Sequence, residues 1–199
     1  MPPPSAAPRR SIGAQRHPAT EAAVVAAARD ILAERGYPGF SIDEVARRAG
    51  AGKPTIYRWW PTRADLLLAV YERERTARLL PPDTGSLAGD LAALMRAILS
   101  AWRETPAGHA LRGLVAEAQS GDAALLVLWD KLAPAFAAPV RAIFAEGARR
   151  GEIDPADTDL LVELLSGLLW RRLLTGQIDD DRTAIERAAR LLATGRGRK

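Results

Sequence analysis

The segment 41–63 constrains the fold of this chain most, because it encodes two short helices around a tight turn. Ser41 and Glu44 form an S-x-x-E capping box, which predicts the start of a helix. Gly50 can adopt the left-handed conformation that commonly ends one. Pro54 is tolerated in a first helical turn, so a second helix is predicted to begin there. This helix-turn-helix spacing is typical of a unit that enters a DNA groove.

The second helix is predicted to span 54–60 and to divide its side chains between two faces. Ile56 and Trp60 are four residues apart, so both are expected to point into the core. The side chains left for the outside are those of Thr55, Tyr57, Arg58 and Trp59.

Each outward side chain suits a particular part of DNA. Arg58 can read a guanine edge or hold a phosphate, and Thr55 can touch a thymine methyl group or a phosphate. The Tyr57 hydroxyl can donate to a phosphate. Trp59 either contacts DNA or belongs to the core, as most tryptophans do.

Two cations, Lys53 and Arg63, are predicted at helix N-termini, where the helix dipole disfavours positive charge by up to about 1 kcal/mol. A phosphate would reverse this cost by accepting from the free N–H groups and the side chain together. The alternative is that both are solvated surface residues. Two such cations around one short helix favour an anionic partner.

The string K-P-T-I-Y-R-W-W-P-T-R, followed by a long helix, resembles the DNA-binding region of the TetR family of bacterial repressors over about residues 18–75. Trp60 matches the buried aromatic position of that family. Gly52 departs from the pattern, because many relatives carry Ser or Thr there and its contact with phosphate is lost. The predicted DNA contacts are Ser41, Lys53, Pro54, Thr55, Tyr57, Arg58, Trp59 and Arg63.

Charge and composition agree with one DNA-binding region in a soluble protein. Residues 1–80 carry 13 Lys and Arg against 8 Asp and Glu, whereas residues 81–199 carry 15 against 16. The excess of positive charge in the first part is typical of a polyanion binder. The chain has no Cys, which excludes disulfide and thiolate chemistry. No apolar run approaches 18 residues and no signal core is apparent, so we predict a cytoplasmic protein without a membrane partner.

The predicted fold class is all-α, with a three-helix N-terminal domain and a helical C-terminal domain. Residues 1–17 are predicted to form a disordered basic arm, either an inert tail or an extra DNA contact. The DNA-binding domain is predicted over 18–63 and a connecting helix over 64–80. Residues 81–199 show no strand pattern, so an all-α second domain is expected there, and the resemblance implies that it is a ligand-binding and dimerisation domain.

The segment LLVELLSGLLWRRLL is apolar on more than one face, which predicts burial on both sides, within its own domain or against a partner chain. The resemblance implies that the last two long helices pair with their copies in a homodimer. A monomer with both helices in one core is the alternative. The predicted interface residues are Leu161, Leu164, Leu165, Leu168, Ile185, Ala188 and Leu192.

No enzyme or metal signature is present. The two histidines, His17 and His109, have no metal-ligand spacing, and no phosphate-binding loop or nucleophile motif occurs, so no cofactor is predicted. The resemblance implies release from DNA by a small-molecule inducer, predicted to be apolar or aromatic. The candidate pocket wall is Met95, Trp102, His109, Trp129, Phe136 and Trp170, and simple core packing is the alternative for each.

The leading interpretation is a dimeric, ligand-responsive transcriptional repressor of a palindromic operator in double-stranded DNA. One alternative is a DNA-binding regulator that senses no ligand. A second alternative is a helical binding protein for apolar ligands or a membrane surface, without operator-specific DNA binding.

Overall fold

The computed structural model describes residues 18–76, 82–119 and 121–194, so the predicted basic arm at 1–17 lies outside the described residues. All regular elements within these ranges are helical, which confirms the all-α prediction. The N-terminal elements are α1 (Pro18–Arg35), a 3₁₀ turn (Tyr37–Gly39), α2 (Ile42–Ala49), α3 (Lys53–Trp59) and α4 (Arg63–Thr76).

The predicted start and end of α2 are confirmed. The Ser41 hydroxyl accepts a hydrogen bond from the Glu44 N–H at 3.2 Å. Gly50 has φ 60°, the left-handed conformation that a side chain would strain, and it ends the helix. Helix α4 begins with a similar device, because Thr62 and Asp65 each accept from the backbone N–H of the other at 3.1 Å. Local capping thus sets where the helices around the turn begin and end.

Further elements along the chain are α5 (Leu87–Glu104), α6 (Ala107–Ala118), α7 (Asp122–Leu126), a π-helical segment (Val127–Leu132), α8 (Ala133–Arg149), α9 (Thr158–Leu174) and α10 (Arg182–Ala193). Helix α4 packs on α6, α5 on α10, and α8 on α9. Pro139 lies inside α8, and the π-helical segment directly precedes this helix.

One buried carboxylate anchors the start of α5. Asp90 is only 2% exposed and accepts from the Thr84 N–H at 2.7 Å and from the Arg150 guanidinium at 2.8 Å. Burial by itself would raise the pKa of Asp90, but these hydrogen bonds outweigh it and hold the pKa below its usual value. Glu152 accepts from the Leu87 N–H at 2.7 Å. The first turn of α5 is therefore tied to the end of α8 and the loop that follows.

A second ionic group ties α2 to α1. Glu44 accepts hydrogen bonds from Arg47 at 2.7 and 2.8 Å and from Arg48 at 2.8 Å. Arg48 also donates to Glu34 of α1 at 2.7 Å through two nitrogens. The hydrogen bonds from Arg47 and Arg48 lower the pKa of Glu44 to about 2. The carboxylate is therefore favoured in the folded protein relative to the unfolded chain.

This depressed pKa predicts a loss of stability in acid. Because the folded value lies below the usual 4.5, the Glu44 contribution is complete above pH 4.5 and is lost as pH falls towards 2. We expect Glu44→Gln to flatten the dependence of the free energy of unfolding on pH in this window, measured by denaturant titration at a series of pH values. Glu186→Gln is the control, because Glu186 has only distant arginine partners. The nitrogen atoms of Arg182 and Arg190 lie 3.7 and 3.9 Å from its carboxylate oxygens, which is too far for a hydrogen bond. Equal pH dependence for wild type and Glu44→Gln would contradict the prediction.

Candidate nucleic-acid interface

Helix α3 has the two faces that its sequence predicts. Ile56 is fully buried and Trp60 nearly so, which confirms both as core anchors. On the opposite side Tyr57 is 45% exposed, and Pro54 and Arg58 are also exposed. Thr55 is half-buried. A short helix with a rigid inner side and a polar, aromatic outer side can enter a groove without disturbing the core.

The prediction that Trp59 lies on the outer face is wrong. Its side chain is 8% exposed and packs edge-to-face on Trp60, with ring centroids 5.8 Å apart. The reason is helical geometry, since residues three apart share a face as residues four apart do, and Trp59 follows Ile56 by three. The Arg58 guanidinium lies 5.8 Å from the centroid of the Trp59 ring. Trp59 therefore supports Arg58 from beneath rather than facing outward.

Lys53 begins α3 and is exposed, but it already has a protein partner. Its ammonium group pairs with Asp43 of α2, and this pairing raises the pKa of Lys53. The conflict between the cation and the helix dipole, which suggested an external anion, is thus relieved within the chain. Gly52 caps the helix without a side-chain hydrogen bond. The ion pair keeps the Lys53 charge at the turn between α2 and α3.

Arg63 also finds an anion within the chain. Its Nη2 donates to the carbonyl oxygen of Phe40 at 3.0 Å, and its Nη1 lies 3.2 Å from Oε1 of Glu117 on α6. The guanidinium carbon lies 5.5 Å from the Tyr37 ring centroid and 5.7 Å from that of Phe40. The side chain keeps 39% of its surface exposed. Sequence reasoning did not find Glu117, because 54 residues separate it from Arg63.

Ser41 lies exposed at the start of α2, where its hydroxyl oxygen is engaged by the Glu44 N–H. The hydroxyl hydrogen remains able to donate outward. Ser41, Lys53 and the exposed side of α3 thus follow one another around the helix-turn-helix.

Comparison with known proteins agrees with this geometry. Residues 24–70 match the family described as bacterial regulatory proteins, tetR family, and residues 81–192 match the tetracyclin repressor-like C-terminal domain. The chain belongs to the TetR family. It is accordingly a helix-turn-helix transcriptional regulator.

Individual relatives span most of the chain. It is 32% identical to a DNA-binding transcriptional repressor TetR of Mycobacteroides abscessus over 80% of this chain and 85% of the relative. It is 28% identical to the uncharacterized HTH-type transcriptional regulator YdeS of Bacillus subtilis, over 85% and 86% respectively. The crystal structure of the TetR family transcription regulator SCO0332 superposes with a TM-score of 0.71 at 30% identity, covering 90% of this chain and 99% of that one.

In the TetR-family C-terminal region, three of the predicted pocket residues form a continuous aromatic cluster. Trp102 stacks on Phe136 with centroids 6.2 Å apart, and Phe136 lies 6.0 Å from Trp170. Met95 is fully buried. The three rings pack directly against one another, so in this structure the cluster belongs to the packed core.

The other two predicted pocket residues are Trp129 and His109. The side chain of Trp129 lies outside the described residues. His109 lies against the connection between α1 and α2, because a Cβ added to Gly36 would be 3.4 Å from its Nδ1 atom. Burial lowers the pKa of His109, and the nearby Arg112 lowers it further. His109 is therefore a domain-contact residue.

The predicted dimer surface needs correction. Leu161, Leu165 and Ile185 are buried in the core of their own chain, so they are not available to a partner. Leu164 is 52% exposed, and Leu168, Ala188 and Leu192 are partly buried. Sequence reasoning missed three further exposed leucines on the same two helices, which are Leu160, Leu174 and Leu191.

Two further observations concern other partners. Within the described ranges, no three or more His, Cys, Asp or Glu side chains are grouped so that they could hold a metal ion. The helical run Asp122–Arg149 is long and apolar enough by composition to cross a membrane. Length and composition alone are a weak indication, since core helices of soluble proteins share them.

Proposed function

We propose that this TetR-family regulator binds a palindromic operator as a homodimer and represses transcription. Each copy would place α3 in one of two successive major grooves, about 34 Å apart along the DNA. The observation that carries the proposal is the division of α3 into a buried side, with Ile56 and Trp59, and an exposed side with Tyr57 and Arg58. Repression is favoured because the relative from Mycobacteroides abscessus is named a transcriptional repressor.

The proposed contacts divide between bases and phosphates. Arg58 is the candidate for base reading, because its guanidinium can bond a guanine edge through two N–H groups. Thr55 and Tyr57 flank it on the same short helix. Lys53 and Ser41 are proposed to bind phosphates beside the turn, and Pro54 to pack against the backbone. Arg63, the first residue of α4, is a further proposed phosphate contact, whereas Trp59 is buried and is not proposed to touch DNA.

Replacing Arg58 tests this assignment. We expect Arg58→Ala to weaken operator binding by about 1 to 3 kcal/mol, roughly five- to 150-fold, because a bidentate contact is lost. If Arg58 reads a base, preference at one position of the operator relaxes; if it holds a phosphate, all sequences weaken alike. Fluorescence anisotropy against single-base operator variants distinguishes the two results.

Arg149→Ala is the matched control for Arg58→Ala, since Arg149 is an exposed arginine at the end of α8. Its loss is expected to change operator affinity by less than about twofold. Unchanged affinity in Arg58→Ala would remove Arg58 from the interface.

The partner in the proposed dimer is a second copy of the same chain, joined through α9 and α10. Helix α9 buries Leu161, Leu165 and Leu169 in its own domain yet exposes Leu160 and Leu164 on the opposite side. A helix that is apolar on two sides gains stability only when both sides are covered. Two-fold symmetry of such a dimer would match the symmetry of a palindrome.

We propose that a small apolar or aromatic inducer acts in the C-terminal domain over 81–199, while 18–63 bind DNA and 64–80 connect the two. The aromatic cluster of Trp102, Phe136 and Trp170 is the candidate wall, and an inducer would have to separate these rings to enter. Ligand-linked quenching of tryptophan fluorescence with loss of operator binding would support this.

If the purified protein selects no DNA sequence from random duplexes at low salt, the alternative of a binding protein for apolar ligands is favoured instead. A cytoplasmic location follows from the proposed role.

A further inference from the structure

Arg63 lies where the DNA-binding region meets the C-terminal domain. It is the first residue of α4, at the edge of the helix-turn-helix, and a cation at this position was predicted to bind phosphate. Its guanidinium is instead engaged by Glu117, near the end of α6, and by the carbonyl oxygen of Phe40. Arg63 therefore belongs both to the proposed DNA surface and to the contact with α6.

The Glu117 carboxylate is held firmly in this position. Its Oε1 atom accepts from the Tyr37 hydroxyl at 2.6 Å, and the same oxygen lies 3.2 Å from Nη1 of Arg63. The Tyr37 ring packs on α6 so closely that Gly113 has no room for a Cβ atom. Glu117 is one-fifth exposed. A carboxylate that is shielded and fixed by a second donor is a strong competitor for a guanidinium.

The Arg63 guanidinium is not saturated by these contacts. Its Nε atom is buried without a hydrogen-bond partner, while the remaining side-chain surface is 39% exposed. An unsatisfied buried donor is unfavourable, so an arrangement in which Nε also gains an acceptor would be more favourable than the observed one. A phosphate oxygen at the exposed side offers an anion that also accepts several N–H donors.

We propose that Glu117 is an internal competitor of the DNA backbone for Arg63, and that Arg63 exchanges the carboxylate for a phosphate when the protein binds its operator. Glu117 then acts as a positioning residue through Arg63. Because Glu117 is carried by α6, the strength of this phosphate contact depends on where α6 lies relative to α4. The proposal rests on the proposed DNA-binding function.

Neutralising Glu117 tests the exchange. Glu117→Gln is expected to tighten operator binding about fivefold near physiological salt, because Arg63 no longer has to leave a carboxylate. The slope of log K against log salt is expected to stay near the wild-type value, because both proteins make the Arg63–phosphate contact, whereas Arg63→Ala removes that contact and should reduce the magnitude of the slope by about 0.9 for each bound subunit. The probe is a duplex oligonucleotide selected by the purified wild-type protein from random DNA. In an Arg63→Ala background, Glu117→Gln is expected to change neither affinity nor slope. A gain of equal size without Arg63 would show long-range electrostatics and would overturn the proposal.

Tyr37→Phe is the matched structural control. It removes the hydroxyl that bonds Glu117 yet leaves the charged carboxylate beside Arg63, so any gain in operator affinity is expected to be well below that of Glu117→Gln. If Tyr37→Phe reproduces the gain of Glu117→Gln, the effect comes from loosened docking of α6 and the competition is refuted. Thermal unfolding of each variant identifies any that fail to fold, and Glu117→Asp, which keeps the charge, is expected to gain less operator affinity than Glu117→Gln. Failure of wild type to select any DNA would instead refute the proposed function.

Discussion

Leu164→Glu is expected to convert the protein to a monomer and to weaken binding to a palindromic operator at least about 100-fold. The side chain is half exposed in the single chain, so the charge costs little there. In a dimer through α9 it would be buried against a leucine surface without a partner, at a cost of several kcal/mol. Since each 1.4 kcal/mol is a factor of ten, a cost of this size shifts the dimer to monomers. A monomer holds only one half-site and so loses the gain in affinity that comes from binding two half-sites together.

Leu126→Glu is the matched control for this experiment. Leu126 on α7 is 58% exposed, close to the 52% of Leu164, but it lies on neither α9 nor α10. We expect Leu126→Glu to remain a dimer with wild-type operator affinity. Sedimentation equilibrium gives the mass and fluorescence anisotropy the affinity. A dimeric Leu164→Glu protein would refute the α9 surface, and a monomeric wild type would refute the dimer itself.

The helix-turn-helix could be predicted from sequence because its signals are local. The Ser41 hydroxyl, the left-handed Gly50 and Pro54 act within a few residues of their own positions, and each fixes a helix end by geometry alone. The same locality explains the error at Trp59. Counting only the spacing of four from Ile56 selected Trp60, although a spacing of three also shares the face.

Partners from other elements could not be predicted in this way. Nothing near Arg63 in the chain indicates that Glu117 will stand 3.2 Å from it, because that contact depends on how α6 packs on α4. The pairing of Lys53 with Asp43 likewise depends on the angle between α2 and α3. In both cases the sequence predicted an unfavourable cation at a helix N-terminus that a phosphate would stabilise. In the structure a carboxylate of the same chain already stabilises that cation.

Helix α9 shows a third limit. Its sequence is apolar around most of the circumference, so the pattern alone could not indicate which leucines belong to the chain's own core. Leu161 and Leu165 face the chain's own core, whereas Leu160 and Leu164 face outward. These assignments depend on the rotation of α9 about its axis, and that rotation is set by packing against α8.

Asp90→Ala is expected to lower the free energy of unfolding by about 3 kcal/mol at pH 7. Removing the carboxylate leaves the Thr84 N–H without its acceptor and takes from Arg150 its most buried carboxylate partner, Asp90, which is 2% exposed; Glu152 and Glu146 remain near Arg150. Breaking a buried ion pair in this way costs about 3 to 5 kcal/mol. The lower end applies because Arg150 is partly exposed and borders a surface cleft of about 210 Å³ that water can enter.

A loss of this size corresponds to a fall in Tm of about 6 to 12 °C for a chain of this length. Asp90→Asn retains an oxygen for Thr84 but no charge for Arg150, so about half of the loss is expected. Asp154→Ala is the control, since Asp154 is an exposed cap that accepts from the Ala156 N–H at 2.9 Å, and its loss should cost about 1 kcal/mol. Urea titrations at one protein concentration measure all three, because the proposed dimer would make stability depend on concentration. If Asp90→Ala costs no more than Asp154→Ala, Asp90 is not the anchor of α5.

The contribution of Asp90 to the free energy of unfolding should also be lost in acid as pH falls through its depressed pKa, since the protonated group no longer pairs with Arg150.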